Sequence, residues 1–303
     1  MNAPAYIRDI ADLRLTDGDR VGGKGANLGE MVAADLPVPP GFVVVRDGYR
    51  DSMRAGGVAE ELGALHHEAL SHVDDTARLQ ELCRRMHNLV RKAGCADDPR
   101  GQLLTAYRRL GDECVVAVRS SATGEDGRDA AFAGMTRSMT NVSGTDELVE
   151  AVIGCWASLF TPRVLTYRRS RGSWGVPEMA VVVQQMLNAE QAGVAYTADP
   201  ATGNRDRLVI EAAFGQGEVV SSGAVQPDTY VVDKSTLKLT DVTIGCKPVK
   251  IVRGPDGHDL TMDLSPREVE ALVLDDAAVE NIARLALTAE QHYRCPQEVE
   301  WAI

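Results

Sequence analysis

The 303-residue sequence has no long basic run, and its formal charge is −12. An acidic chain without a cationic stripe lacks the electrostatic footprint of a nucleic-acid binder, so no nucleic-acid partner is expected. It has no long apolar stretch either. Runs such as Met179–Val183 fall far short of the roughly 20 residues that cross a bilayer, so no membrane partner is expected. The N-terminus, MNAPAYIRDIADLRLTDGD, carries acidic residues and no apolar core of a leader; we expect no signal peptide and a cytoplasmic location. The six cysteines form no C-x-x-C pair, and no histidine stands at ligand spacing from them, which argues against a disulfide framework and against zinc. There is no internal repeat and no low-complexity segment. The six histidines have no nearby serine or aspartate in an arrangement that reads as a triad.

What is present is the composition of an ordinary globular protein, 44% apolar and 25% charged. The chain is longer than one core usually serves, so two lobes are expected. After a glycine-rich start the first third reads as helix. In DTARLQELCRRMHNLVRKAG, Leu79, Leu82, Cys83, Met86, Leu89 and Val90 share a face, with Asp75 placed to cap and Gly94 to terminate. GQLLTAYRRLGD and TDELVEAVIGCWASLF read as two more helices. The period then changes. EMAVVVQQM is a continuous β-branched run, hence a buried strand. AGVAYTAD, RLVIEAAFG, DTYVVDK and LKLTDVTIG follow at close spacing as a mostly antiparallel sheet. Ser265-Pro266-Arg267-Glu268 is a helix start with a capping box, VENIARLALTAEQHY is helix, and QEVEWAI is a last strand. The expected class is α+β, divided at 1–182 and 183–303, with a seam near Val181–Leu187. Strand order does not follow from the pattern.

Four stretches carry chemistry. VGGKGANLGEM, Val21–Met31, sets Lys24 among Gly22, Gly23 and Gly25, a loop able to hold phosphate through backbone N–H groups and an ammonium. It matches neither G-x-x-x-x-G-K-[ST] nor G-x-G-x-x-G after a strand, and taken alone it reads more readily as a helix N-terminus with a flexible leader. In VAVRSSATGEDGRDAAFAGM a strand read as Cys114–Val118 runs into Arg119. The hydroxyls of Ser120, Ser121 and Thr123 and the bare backbone of Gly124, Gly127 and Gly134 follow. Arginine grips phosphate bidentately; a surface pair with Glu125 or Asp126 is the alternative. Two such cationic, glycine-rich stretches together point to a polyphosphate ligand. In VVVQQMLNAEQ, the strand ending in Gln185 and Met186 offers backbone groups and an apolar wall to a purine, though a plain core strand has the same pattern. Glu211 in VIEAAFGQGE, and Glu298 and Glu300 in QEVEW, are acidic. Alternation puts Glu298 and Glu300 on one face, where a pair suits Mg2+ bound together with phosphate oxygens; a solvated strand face is the commoner reason for such a pair.

With VGGKGANLGEM, LPVPPGFVV, VAVRSSATGEDGRDAAFAG, VVVQQM, GVAYTADPATG, VIEAAFGQGE, VQPDTYVVDK and QEVEW in this order, nearly the whole chain resembles the N-terminal nucleotide-binding domain of the phosphoenolpyruvate synthase and pyruvate phosphate dikinase family, which includes rifampin phosphotransferase. The resemblance implies an ATP-grasp fold, two lobes clamping ATP and Mg2+. It implies phosphate contacts from Lys24 and Arg119, a small loop closing over the nucleotide at Gly134 and Ser138, and adenine contacts from Gln185 with Met186. It also implies that Glu300, with Glu298, binds the metal. In such enzymes the β-phosphoryl group of ATP passes to a histidine on a swivelling domain, leaving AMP and phosphate, and then to an acceptor bound on a further domain.

The sequence departs from the family pattern in four places. It ends at Ile303, before the Gln-x-Arg motif. No histidine stands in a Thr-Ser/Cys-His-Ala context. The run after FAG is MTRS, with Arg137 and Ser138, and Gln216 replaces the usual leucine in GQGE. The first two departures read as a domain of a longer phosphotransferase, whose swivelling and acceptor domains would be its partners. The leading reading is the ATP-binding domain of a phosphoenolpyruvate synthase-like dikinase. Rifampin phosphotransferase and a non-catalytic nucleotide-binding module are the alternatives.

Overall fold

The computed structural model of the protein describes residues 5–111, 114–122 and 138–303. The chain divides into two compact units: Met1–Ala33 with Val38–Met186, and Ala34–Pro37 with Leu187–Ile303. Both mix helices with antiparallel sheet, the expected α+β class.

In the first unit the strands are β1 (Ile7–Asp9), β2 (Gly41–Val44), β3 (Val116–Ala122), β4 (Ser138–Val142) and β5 (Met179–Gln185). They form one sheet in the order β1-β2-β5-β3-β4, every neighbouring pair antiparallel. Helix α1 (Gly18–Ala33) covers one face. Helices α2 (Arg46–Ala55), α3 (Ala59–Ser71), α4 (Thr76–Ala93), α5 (Asp97–Leu110), α6 (Thr145–Ala157) and α7 (Pro162–Ser170) supply the other layer. Burial on both faces explains the unbroken apolar run of β5, since alternation is needed only where one face meets water. Ala180 and Val182 pack with Val21, Ala26 and Val43 on the α1 side. Val181 and Val183 pack with Val116, Val118, Leu82 and Trp156 on the other.

Local signals set the helix ends. The Asp75 carboxylate accepts from the Arg78 N–H, and Gly94, at φ +66°, stops α4. Helix α5 begins four residues before the expected Gly101, because Asp97 and Asp98 form an acidic first turn that suits the helix dipole. Helix α6 stops at Ala157, so Leu159 and Phe160 are buried in the following turn rather than in the helix. The sequence reading also placed the strand before Arg119 too early. It runs from Val116 to Ala122 with Arg119 in its middle, because β4 and β5 flank it and the ladder carries the small polar residues along.

The second unit has β6 (Gln191–Tyr196), β7 (Arg207–Phe214), α8 (Glu218–Ser221), β8 (Asp228–Asp233), β9 (Leu239–Thr243), β10 (Val249–Arg253), β11 (Asp259–Asp263), α9 (Pro266–Val269), α10 (Asp276–Tyr293) and β12 (Glu298–Ala302). The sheet order is β12-β6-β7-β8-β9, again antiparallel throughout, and β10 with β11 forms a separate hairpin. Val279, Ile282, Ala283 and Ala286 of α10 cover one face of the five-stranded sheet through Ala195, Ile210 and Tyr230. The capping box at Ser265 and Glu268 is present. Asp228 and Lys247 form a wholly buried ion pair. Asp228 also accepts from the N–H groups of Gly245 and Val273, and Lys247 donates to the Gly245 carbonyl.

Candidate functional site

Alternation along β3 sends Ala117, Arg119 and Ser121 to the α1 face and Val116, Val118 and Ser120 to the other. Across the ladder Arg119 is paired with Val182 on one side and with Ser138 on the other. Directly opposed residues share a face, so Arg119 and Ser138 are neighbours on the side that α1 covers, and Ser138 is exposed there.

Of the two sequence readings of the glycine-rich stretch, the structure bears out the helix rather than the loop. Residues 18–33 are helical apart from Gly22, which sits at φ +71°, ψ 170° and breaks the helix just before Lys24. Only glycine adopts that conformation without strain. A Cβ on Gly22 would also stand 2.2 Å from the Ser121 carbonyl oxygen. Ser121 is fully buried, with its hydroxyl donating to the Val21 carbonyl at 2.8 Å and accepting from the Gly25 N–H at 3.1 Å. Ser120 is likewise buried. The two serines therefore differ from the sequence reading, in which their hydroxyls faced a ligand: the strand continues through them and turns both inward. The role of Ser121 was missed, since nothing in the sequence links it to Gly25, 96 residues away.

Half-buried Lys24 adjoins Gly25, which is bonded to Ser121, and Ser121 lies two positions from Arg119, about 7 Å along the strand. Two cationic side chains from distant parts of the sequence are thus carried on one local scaffold. A salt-bridge chain supports the start of α1: Arg20 meets Asp47 at 3.4 Å, Asp47 meets Arg50 at 3.2 Å, and Arg50 grips Glu178 through two bonds of 2.7 and 2.8 Å. The Arg50 hydrogen bonds hold the Glu178 carboxyl below its usual range.

Strand β5 ends at Gln185, and Met186 follows it. Their N–H groups are already engaged, by the Pro40 carbonyl at 2.9 Å and the Val115 carbonyl at 2.8 Å. Alternation puts Gln184 rather than Gln185 on the Arg119 face, and the Gln184 side chain donates to the Pro39 carbonyl. Any contact of Gln185 or Met186 with a base must therefore come from side chains or carbonyls. Gly134 lies outside the described residues.

In the second unit the register places Glu300, Val194, Glu211 and Thr229 in one row across β12, β6, β7 and β8, with Glu298 opposite Tyr196 one step along the same face. Glu211, Glu298 and Glu300 thus share the face that α10 does not cover. Burial, and then the Glu298 charge, raise the Glu211 carboxyl above its usual range; burial and both carboxylates raise the Tyr196 phenol. The opposite face explains Gly193. A Cβ there would stand 1.8 Å from the Glu211 carbonyl oxygen and 2.8 Å from the indole of Trp301, which lies across the ladder. Among the described residues no three His, Cys, Asp or Glu side chains are grouped so as to hold a metal by themselves. Two carboxylates completed by phosphate oxygens and water are what Mg2+ commonly takes, and the exposed pair Glu298 and Glu300, beside half-buried Glu211, has the donor chemistry for it. Among the described residues no single helix is long and apolar enough to cross a membrane.

Residues 18–303 match the family described as pyruvate phosphate dikinase, AMP/ATP-binding domain. A probable phosphoenolpyruvate synthase of Archaeoglobus fulgidus is 43% identical over 97% of this chain, and one of Methanocaldococcus jannaschii is 41% identical over 98%. The phosphoenolpyruvate synthase of Pyrococcus furiosus is 35% identical over 98%. The chain spans 39%, 25% and 42% of those three relatives, respectively. A glycine-broken helix carrying a lysine, an arginine strand beside it and a carboxylate-bearing sheet, in this order and at this similarity, establish that the chain belongs to the pyruvate phosphate dikinase AMP/ATP-binding domain family.

Proposed function

We propose that this chain binds ATP with Mg2+ as the nucleotide-binding part of a phosphoenolpyruvate synthase-like phosphotransferase. Lys24 and Arg119 hold the phosphates, with Ser138 next to Arg119 across the ladder, and Gly134 takes the nucleotide-loop role that the resemblance implies. Gln185 and Met186 serve the adenine through side chains and carbonyls. Glu300, assisted by Glu298 and flanked by Glu211, binds Mg2+, which neutralises charge on phosphate oxygens when present. Phosphoryl transfer asks mainly for positioning and charge neutralisation, and a lysine, an arginine and an acidic pair supply both. In the complete enzyme the β-phosphoryl group would pass to a histidine of a swivelling domain, leaving AMP and inorganic phosphate. A separate acceptor domain would then receive it. The names of the relatives favour pyruvate over a rifamycin as acceptor.

The observation that carries this reading is that the turn bearing Lys24 is tied, through the Gly25–Ser121 hydrogen bond, to the strand that bears Arg119. Calorimetric titration of the chain with ATP, with and without Mg2+, tests it. Lys24→Ala and Arg119→Ala are each expected to weaken binding at least about tenfold, about 1.4 kcal/mol, and Glu300→Gln to remove the Mg2+ dependence. Wild-type affinity in both cation variants would overturn it.

A further inference from the structure

We infer that Ser121 is a positioning residue for ATP, acting through Lys24 alone. The inference rests on the phosphate-binding reading above and adds to it the device that sets the two cations.

In an unbroken helix the Gly25 N–H would bond the Val21 carbonyl directly, as residues i and i−4. Gly22 interrupts the helix between them, and the Ser121 hydroxyl bridges the pair, donating to Val21 and accepting from Gly25. A side chain inserted at a helical i, i−4 pair is a recognised cause of a kink. Here it comes from another strand, so the kink is also an anchor. A hydroxyl is well suited, because one group offers a donor and acceptor lone pairs at a single atom. The anchor is tight: Ser121 is wholly buried, and Gly22 lies so close that even a methyl group would collide with the serine backbone. Lys24 is inside the bridged turn and Arg119 is two residues from the anchor on the same face of β3. The distance between the cations is therefore set by one side chain rather than by the flexibility of a glycine loop. Such preorganisation lowers the ordering cost that would otherwise be charged against ligand binding.

The experiment is a double-mutant cycle on ATP binding with the 303-residue chain, each variant first checked for folding by circular dichroism and thermal melting. Ser121→Ala is expected to weaken ATP binding about tenfold. In a Lys24→Ala background the same change is expected to cost less than about twofold, because its effect passes through the lysine. Ser120→Ala, equally buried but on the other face, serves as a control for stability alone and is expected to leave the affinity within about twofold. Ser121→Cys, which keeps a weak donor and acceptor, is expected to fall between serine and alanine, and it replaces Ser121→Ala in the cycle if the alanine variant does not fold. The inference is overturned by equal losses in the two backgrounds, by an unaltered affinity in the Ser121 variant, or by a matching loss from Ser120→Ala. Should Lys24→Ala and Arg119→Ala themselves bind ATP normally, the phosphate-binding reading fails first.

Discussion

Gly22 and Gly18 are four residues apart in one helix and invite opposite outcomes. A Cβ at Gly22 meets a forbidden backbone conformation and the Ser121 carbonyl; at Gly18 nothing lies within 4 Å. Gly22→Ala should cost at least about 2 kcal/mol, while Gly18→Ala should gain about 0.5 kcal/mol; urea denaturation of the pair would show both signs. A second residue-scale expectation concerns His66, buried in α3 with its Nε2 lacking a hydrogen-bond partner among the described residues. Burial first, then Arg168 and His67, lower its pKa from 6.5 to about 4. A base whose folded pKa is depressed contributes stability above its unfolded pKa and loses it as pH falls. The melting temperature of the wild type should therefore drop relative to His66→Leu between pH 6.5 and 4, and parallel curves would refute this. At this scale the sequence was informative about residue types and poor about direction. Lys24 and Arg119 stand out by their glycine and serine neighbours, and Glu298 and Glu300 by alternation. Ser121 looked like a ligand hydroxyl because burial is a property of the assembled sheet and α1, which a single stretch of sequence does not contain.

Elements followed the same division. Helix α4 was legible from Asp75 to Gly94, since its period and both caps are local. The buried character of β5 and the strands of the second sheet were legible too, from β-branched runs between Gly, Pro and Asp. The β10–β11 hairpin and the short strands β1, β2 and β4 were not read as elements, because strands of this length depend on their partners rather than on their own pattern. The Asp228–Lys247 pair that fastens the loop after β9 to β8 was equally invisible, its partners being brought together only by the fold. Asp228→Ala should cost about 3–5 kcal/mol, since it strands a buried ammonium, whereas Asp228→Leu combined with Lys247→Met should recover only part of that loss, because the Gly245 and Val273 N–H groups stay unpaired. Chemical denaturation of the single and double variants distinguishes a needed charge pair from a replaceable one.

For the molecule as a whole, each unit has its own apolar core, one built on β5 and β3, the other on β7 and α10. Leu82→Ala and Ile210→Ala should each cost about 2–5 kcal/mol. Hydrogen exchange should show the first loosening amides of β3 and β5 and the second those of β7 and α10. The sheet order of the first unit carries a further consequence, for synthesis rather than stability. Strand β2 pairs with β5, yet all of α2 to α7 lies between them in the chain. At roughly 5–20 residues per second, a nascent chain holds β1 and β2 for on the order of ten seconds before the central strand leaves the ribosome. During that interval Phe42 and Val44 have no β5 to cover them, and an unpaired apolar strand edge is an invitation to wrong partners. Slower translation across that window is therefore expected to lower the yield of folded protein unless a chaperone holds the exposed strands.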